Sequence, residues 1–336
     1  MKAIGYHRPL PIAEADSLID TVIDTPTPTG RDLLVRVEAV SVNPVDVKLR
    51  GGVAPADGAL RVLGFDAAGT IEAVGPEVTG FRPGDTVFYA GAIDRPGTNS
   101  EFHLVDERIV GPKPKSLGFA EAAALPLTAI TAWEMLFDRL GLVRGGEAGR
   151  SLLIVGGAGG VGSMAIQLAR KLTGIRVIAT ASRPETAAWV RGLGAHDVID
   201  HNGSMPEQIR ALGLSGVEAV FSTNATDRHF PALVEIVAPQ GRIGLIDDPA
   251  PIDVRLLKRK SVSLHWELMF TRSLFQTADI AEQRALLAEV SRLVDDGTLR
   301  TTLTETLGRI DAATLRRAHA LIESGTARGK IVLAGF

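Results

Sequence analysis

The hexapeptide Gly157-Ala158-Gly159-Gly160-Val161-Gly162 follows the apolar run Ser151–Val155 and opens a segment of helical periodicity. Between a strand and a helix, a G-x-G-x-x-G spacing divides its tasks. The first glycine permits a tight turn, the second lets backbone approach a pyrophosphate, and the third lets helix pack on strand. The helix then offers unpaired N–H groups and a positive dipole end to phosphate. The chemistry expected of Gly157, Gly159, Gly160, Val161 and Gly162 is dinucleotide binding. About 20 residues on, an NAD site carries Asp or Glu for the ribose hydroxyls. This chain reads Thr180-Ala181-Ser182-Arg183 there. Ser182 can donate to a 2′-phosphate and the Arg183 fork can pair with it, so NADP(H) is the expected cofactor.

The elements that hold this turn follow from periodicity. From Ser151 the runs SLLIV, RVIATA, HDVID, VEAVFS and GRIGLI alternate with helical stretches, the pattern of a parallel sheet covered on both faces. Upstream, Asp32–Val42 alternates apolar and polar residues, and Gly69–Val74, Asp85–Ala90 and Ser100–Val105 are further strand candidates separated by turn signals such as Arg82-Pro83-Gly84-Asp85. That half reads as antiparallel and barrel-like. Ala278–Asp296 and Leu315–Ser324 have helical spacing, and Lys330–Ala334 reads as a terminal strand. The fold class expected is α/β.

Composition narrows the chemistry. With 336 residues the chain is long enough for about two domains. Lys and Arg number 36 against 39 Asp and Glu, a net charge of −3, so the basic footprint that nucleic acid requires is lacking. The absence of cysteine excludes disulfides, Cys-ligated zinc, iron–sulfur clusters and thiol nucleophiles. Ser151–Ala169 is free of charge, but its central glycines argue against a membrane span. Glu14 and Asp16 interrupt any secretory h-region, so a cytoplasmic protein is expected, with no membrane partner.

Lys2-Ala3-Ile4, Asn43-Pro44-Val45-Asp46, Gly64-Phe65-Asp66-Ala67-Ala68-Gly69, Phe81-Arg82-Pro83-Gly84-Asp85, Leu125-Pro126, Thr131-Ala132-Trp133 and Gly329-Lys330-Ile331-Val332-Leu333 occur in the order seen in the medium-chain dehydrogenase/reductase superfamily. The chain resembles that superfamily over essentially its whole length. It is most similar to the quinone oxidoreductase or zeta-crystallin-like branch, including members called zinc-type alcohol dehydrogenase-like. The resemblance implies a GroES-like catalytic domain from residues 1–123 and 264–336 around a Rossmann domain at 124–263. It implies a homodimer that reduces quinones or α,β-unsaturated carbonyls by direct hydride transfer from NADPH. A metal-free alcohol or aldehyde reductase and a non-catalytic NADPH-binding structural or regulatory protein are the rival expectations.

In zinc-dependent members a cysteine and a Gly-His-Glu supply catalytic ligands. Asn43, Phe65 and Asp66 stand at those places here. Zinc needs about three protein ligands, so none is expected to bind. The resemblance assigns the catalytic positions to Asn43, Lys48 and Thr131. Asn43 is a neutral donor beside substrate, or closes an Asx turn. Lys48 holds the substrate oxygen or delivers a proton, or is a solvated helix residue. Thr131 faces cofactor and substrate, or bonds its own helix backbone. Lys330 matches a residue that reaches the cofactor. Phe65, His265, Trp266 and Phe270 line an acceptor pocket, the last three being alternatively core or subunit contact.

Overall fold

The computed structural model describes residues 1–336. The chain forms β1 (Lys2–Tyr6), β2 (Ile19–Val22), β3 (Asp32–Ser41), β4 (Arg61–Val62), β5 (Ala67–Val74), β6 (Thr86–Tyr89), β7 (Phe102–Asp106) and β8 (Val110–Pro112). A second series follows: β9 (Ser151–Val155), β10 (Arg176–Thr180), β11 (Asp197–Ile199), β12 (Val217–Ser222), β13 (Val237–Leu245) and β14 (Ser263–Trp266). The last two are β15 (Leu303–Thr306) and β16 (Lys330–Ala334). Contacts divide the chain into one unit of Met1–Ile130 with Phe270–Phe336 and another of Thr131–Met269.

In the first unit a seven-stranded sheet runs β15-β16-β3-β5-β6-β8, with β7 also on β3. Strand β3 is its axis. Asp32–Arg36 pair with β7, while Ala39–Ser41 pair with β16. Register irregularities against β5 fall at Leu34/Val35 and Val37/Ala39. Such bulges bend a strand and increase its twist, which lets the two ends of β3 serve different partners and curl the sheet. Inside it lies a core that includes Ile4, Leu33, Val35, Val40, Ile71, Val87, Tyr89 and Leu333. Strands β1, β2 and β4 form a small separate sheet.

The second unit is one sheet, β11-β10-β9-β12-β13-β14, parallel throughout. Strand β9 lies at its centre and every residue of it is buried, as expected of a strand covered on both faces. Strand order reverses between β9 and β12, so the crevice beyond their carboxyl ends is where such a sheet binds ligand. The boundaries differ from those read in the sequence: the second unit begins at Thr131 rather than 124 and ends at Met269 rather than 263. The reason at the second boundary is β14, whose Ser263–Trp266 pair in register with Arg242–Leu245 of β13. No helix is long and apolar enough to cross a membrane.

A lysine closes one helix of this unit. The Lys260 ammonium donates to the carbonyls of Val234, Glu235 and Val237 at 2.9, 2.7 and 2.7 Å, at the end of helix Thr226–Ile236. It satisfies acceptors the helix leaves open and complements its negative end. Replacing Lys260 by Met is expected to cost about 2 kcal/mol. A thermal melt should show the midpoint falling by roughly 4 °C; an unchanged midpoint would refute this cap.

Candidate active site

The glycine turn joins β9 to helix Gly160–Leu172. Gly156 has φ +75°, and a Cβ there would lie 2.3 Å from Thr223 Oγ1 and 2.5 Å from Asn224 Oδ1. The left-handed turn therefore belongs to Gly156, one residue ahead of Gly157, to which the spacing assigns it. Gly157 serves packing instead, its missing Cβ leaving room for Ala179 Cβ at 2.9 Å. At Gly162 a Cβ would meet the Gly156 carbonyl oxygen at 2.3 Å, which is the close helix approach expected of the third glycine. The turn is pinned to β10: Gly156 N–H donates to Thr180 Oγ1 at 3.0 Å and Gly157 N–H to the Thr180 carbonyl at 3.2 Å. Gly159 is the helix N-cap and has no side chain to cap with. Gly160 and Val161 are the first helical residues, at the end where backbone N–H groups lack intrahelical acceptors.

Ser182 and Arg183 lie just past the carboxyl end of β10, with Ser182 exposed. Arg183 N-caps helix Pro184–Gly192 through backbone bonds with Thr186 Oγ1. Its Nε stands 3.1 Å from Glu185 Oε1, and both side chains are substantially solvated. A pair so exposed is weak, so the guanidinium can exchange its carboxylate for a phosphate.

In the first unit, Asn43, Asp46, Asp66 and Lys330 form a buried polar cluster. Asn43 lies two residues beyond β3 and N-caps helix Pro44–Gly52. The Asp46 carboxylate accepts from Asn43 N–H at 2.9 Å and from Gly64 N–H at 3.0 Å. Asp66 Oδ1 accepts from Leu127 N–H at 2.8 Å, and its Oδ2 accepts from Asn43 Nδ2 at 2.8 Å and Lys330 Nζ at 3.0 Å. The Lys330 ammonium also donates to the Val42 carbonyl at 3.1 Å and to Asn43 Oδ1.

Asn43, expected beside substrate, donates its amide hydrogens to Asp66 and to the Ser41 carbonyl at 3.3 Å. Lys330, expected to reach the cofactor, is 3% exposed, and three oxygens of its own unit take its three protons. Position along the chain suggested both roles; the reach of a lysine side chain across the interior was not visible there.

Burial dominates the titration of both carboxyls. It pushes Asp66 up, opposed by the Lys330 ammonium and the Asn43 amide. Asp46 rises to about 7 through desolvation, its bonds to Asn43 and Gly64 opposing the shift.

The other expected residues are dispersed. Lys48 is exposed on helix Pro44–Gly52, and Thr131 is buried in helix Pro126–Trp133. Phe65 and Phe270 are buried and meet edge to face at 5.2 Å in the first unit. His265 and Trp266 lie within β14 of the second unit. His265 Nε2 is 3.0 Å from Ser263 Oγ, and Trp266 is 54% exposed. The donors at the zinc positions do not fit that metal. A phenyl ring cannot ligate, and Asn43 Oδ1 and Asp66 Oδ2 already hold an ammonium.

Known proteins share this architecture. Residues 29–132 match the alcohol dehydrogenase GroES-like domain and residues 160–288 the zinc-binding dehydrogenase family. The chain is 40% identical to a zinc-type alcohol dehydrogenase-like protein of Staphylococcus epidermidis, covering 99% of each. A crystal structure from Rhizobium etli CFN 42, provisionally described as a zinc-dependent alcohol dehydrogenase, is 60% identical with a TM-score of 0.97, covering 100% of this chain and 98% of that one. A quinone oxidoreductase of Pseudomonas syringae pv. Tomato DC3000 is 26% identical with a TM-score of 0.85, covering 99% of both. The chain belongs to the medium-chain dehydrogenase/reductase superfamily. It is an α/β oxidoreductase of that superfamily, with a GroES-like domain and a Rossmann-like parallel sheet.

Asp46 gives a pH test. Folding raises its pKa from 3.8 to about 7, so between those values the folded chain keeps a proton that the unfolded chain has lost. Its stabilising contribution is complete below about pH 4 and is lost progressively as pH rises to about 7. In urea unfolding, the stability difference between wild type and Asp46→Asn should fall from pH 4.5 to 7 and level off above. A difference constant across that range would contradict the assignment.

Proposed function

We propose that this oxidoreductase reduces quinones or α,β-unsaturated carbonyls with NADPH and without zinc. The observation that carries the reading is the side-chain set at the family's ligand positions, where Asn43, Phe65 and Asp66 are committed to an internal ammonium or an aromatic pair. A simple ketone concentrates negative charge on one oxygen as hydride arrives, which a Lewis acid relieves. A conjugated acceptor spreads that charge over its own π system, so hydrogen-bond donors and a proton source suffice.

NADPH, when bound, supplies the hydride. The turn from Gly156 to Gly162 and the first N–H groups of its helix receive the pyrophosphate, and Ser182 with Arg183 receives the 2′-phosphate. Lys48, exposed on its helix, supplies a proton or holds the acceptor oxygen, and Thr131 contributes a hydroxyl. The mycobacterial NADPH complex of 28% identity supports this cofactor. Edge strand β14 carries exposed Trp266 and, just after it, Leu268 at 50% exposure, which suits pairing with a second copy in a homodimer.

Two measurements test this reading. NADPH absorbance should fall when the protein meets an ortho-quinone or an enone. Oxidation with a saturated aldehyde alone would refute the acceptor class, and tight NADPH binding with no turnover would favour a regulatory protein. Arg183→Ala should weaken NADPH binding roughly 10- to 100-fold, the loss of a charge-assisted pair, and change NADH binding less than about twofold. Equal losses for the two nucleotides would remove Arg183 from the phosphate site.

A further inference from the structure

Loss of zinc ligands alone would be served by any neutral filling, and the first unit has something costlier. Lys330 and Asp66 are 3% and 0% exposed, and burying charge is unfavourable unless it is paired and hydrogen-bonded. Here the pairing is complete. The ammonium meets the Val42 carbonyl, Asn43 Oδ1 and Asp66 Oδ2, one oxygen for each proton. Two of these oxygens belong to residues standing where zinc-dependent relatives carry ligands.

We propose that the Lys330 ammonium is the resident cation of this site, the intramolecular counterpart of the divalent metal, and that its presence closes the site to metal. The amide of Asn43 shows the organisation. Its two hydrogens go to Ser41 O and Asp66 Oδ2, which turns Oδ1 toward Lys330. Asp66 Oδ1 is separately held by Leu127 N–H. Every acceptor that a metal could use thus points at the ammonium or is occupied. A second cation in reach of Asn43 and Asp66 would face a like charge at contact distance, where low dielectric strengthens repulsion. Lys330 is accordingly a positioning residue. It fixes Asn43 and Asp66, and the backbone fixes it, because β16 pairs antiparallel with β3 at Val332 and Ser41. This inference goes beyond the reaction proposed above and is independent of its acceptor.

The test restores ligands with and without the ammonium. N43C/F65H places a thiol and an imidazole beside Asp66, and N43C/F65H/K330M does so after removing the charge. Cobalt(II) is titrated into both, read by thiolate-to-metal absorption, with zinc content measured after dialysis. The triple variant is expected to bind one cobalt ion at least ten times more tightly than the double variant. Equal uptake by the two, at any level, overturns the proposal. Should the triple variant fail to show a folded circular dichroism spectrum, K330Q replaces K330M in the same comparison. A cycle in the otherwise wild-type chain adds an independent reading: K330M and D66N should each lower the melting midpoint, and the double variant should lose fewer degrees than their sum. Additive losses would also overturn it. A wild-type protein inactive with quinones and enones would sink the proposed reaction and leave these comparisons standing.

Discussion

The first unit is organised around one buried ion pair, Lys330 with Asp66. Removing either partner would leave an uncompensated charge in the interior, the strongly destabilising case for buried pairs. The pair is also where distant parts of the chain meet. Val42 and Asn43 come from just beyond β3, Asp66 from the approach to β5, Leu127 from the start of helix Pro126–Trp133 and Lys330 from β16. Each of these segments ends or begins an element at the cluster, so their relative positions depend on the same few hydrogen bonds. Asp46 extends the network to Gly64, and burial raises its pKa as it does that of Asp66.

Local pattern made much of this molecule legible. The run Ser151–Val155 is a strand over the same residues the periodicity marks, and VEAVFS and KIVLA are likewise strands as read. The glycine turn was visible because its function requires residues close in sequence. Its inner division of labour was not: only the backbone at Gly156 shows which glycine takes the left-handed conformation. The signal available was the adjacent Gly156-Gly157 pair, which spacing alone reads as beginning one residue late.

What could not be read depends on long-range placement. Lys330 and Asn43 are 287 residues apart, and no periodicity reports that a side chain from one strand will saturate an amide on another. Correspondence of positions gave each a cofactor or substrate role, and the hydrogen bonds between them belong to the fold's own interior. The aromatic residues taught the same lesson. Phe65 and Phe270 found each other across the chain, while His265 and Trp266 went to the edge of a different sheet because β14 pairs with β13. A family label carries the fold across a 40% identity, and the chemistry has to be argued from the atoms at the site.

The origin of Lys330 in the final strand bears on how the chain acquires its structure. Asp66 is synthesised early and its counter-ion arrives with β16, after the whole parallel-sheet unit has been made. Until β16 is made, the Asp66 carboxyl lacks the ammonium that pairs with it in the native fold. Pairing β3 with β16 joins residues far apart in the sequence, a contact of high contact order and slow to form by that measure. The GroES-like half therefore reaches its native electrostatic balance only when β16, far along the chain from Asp66, docks against β3.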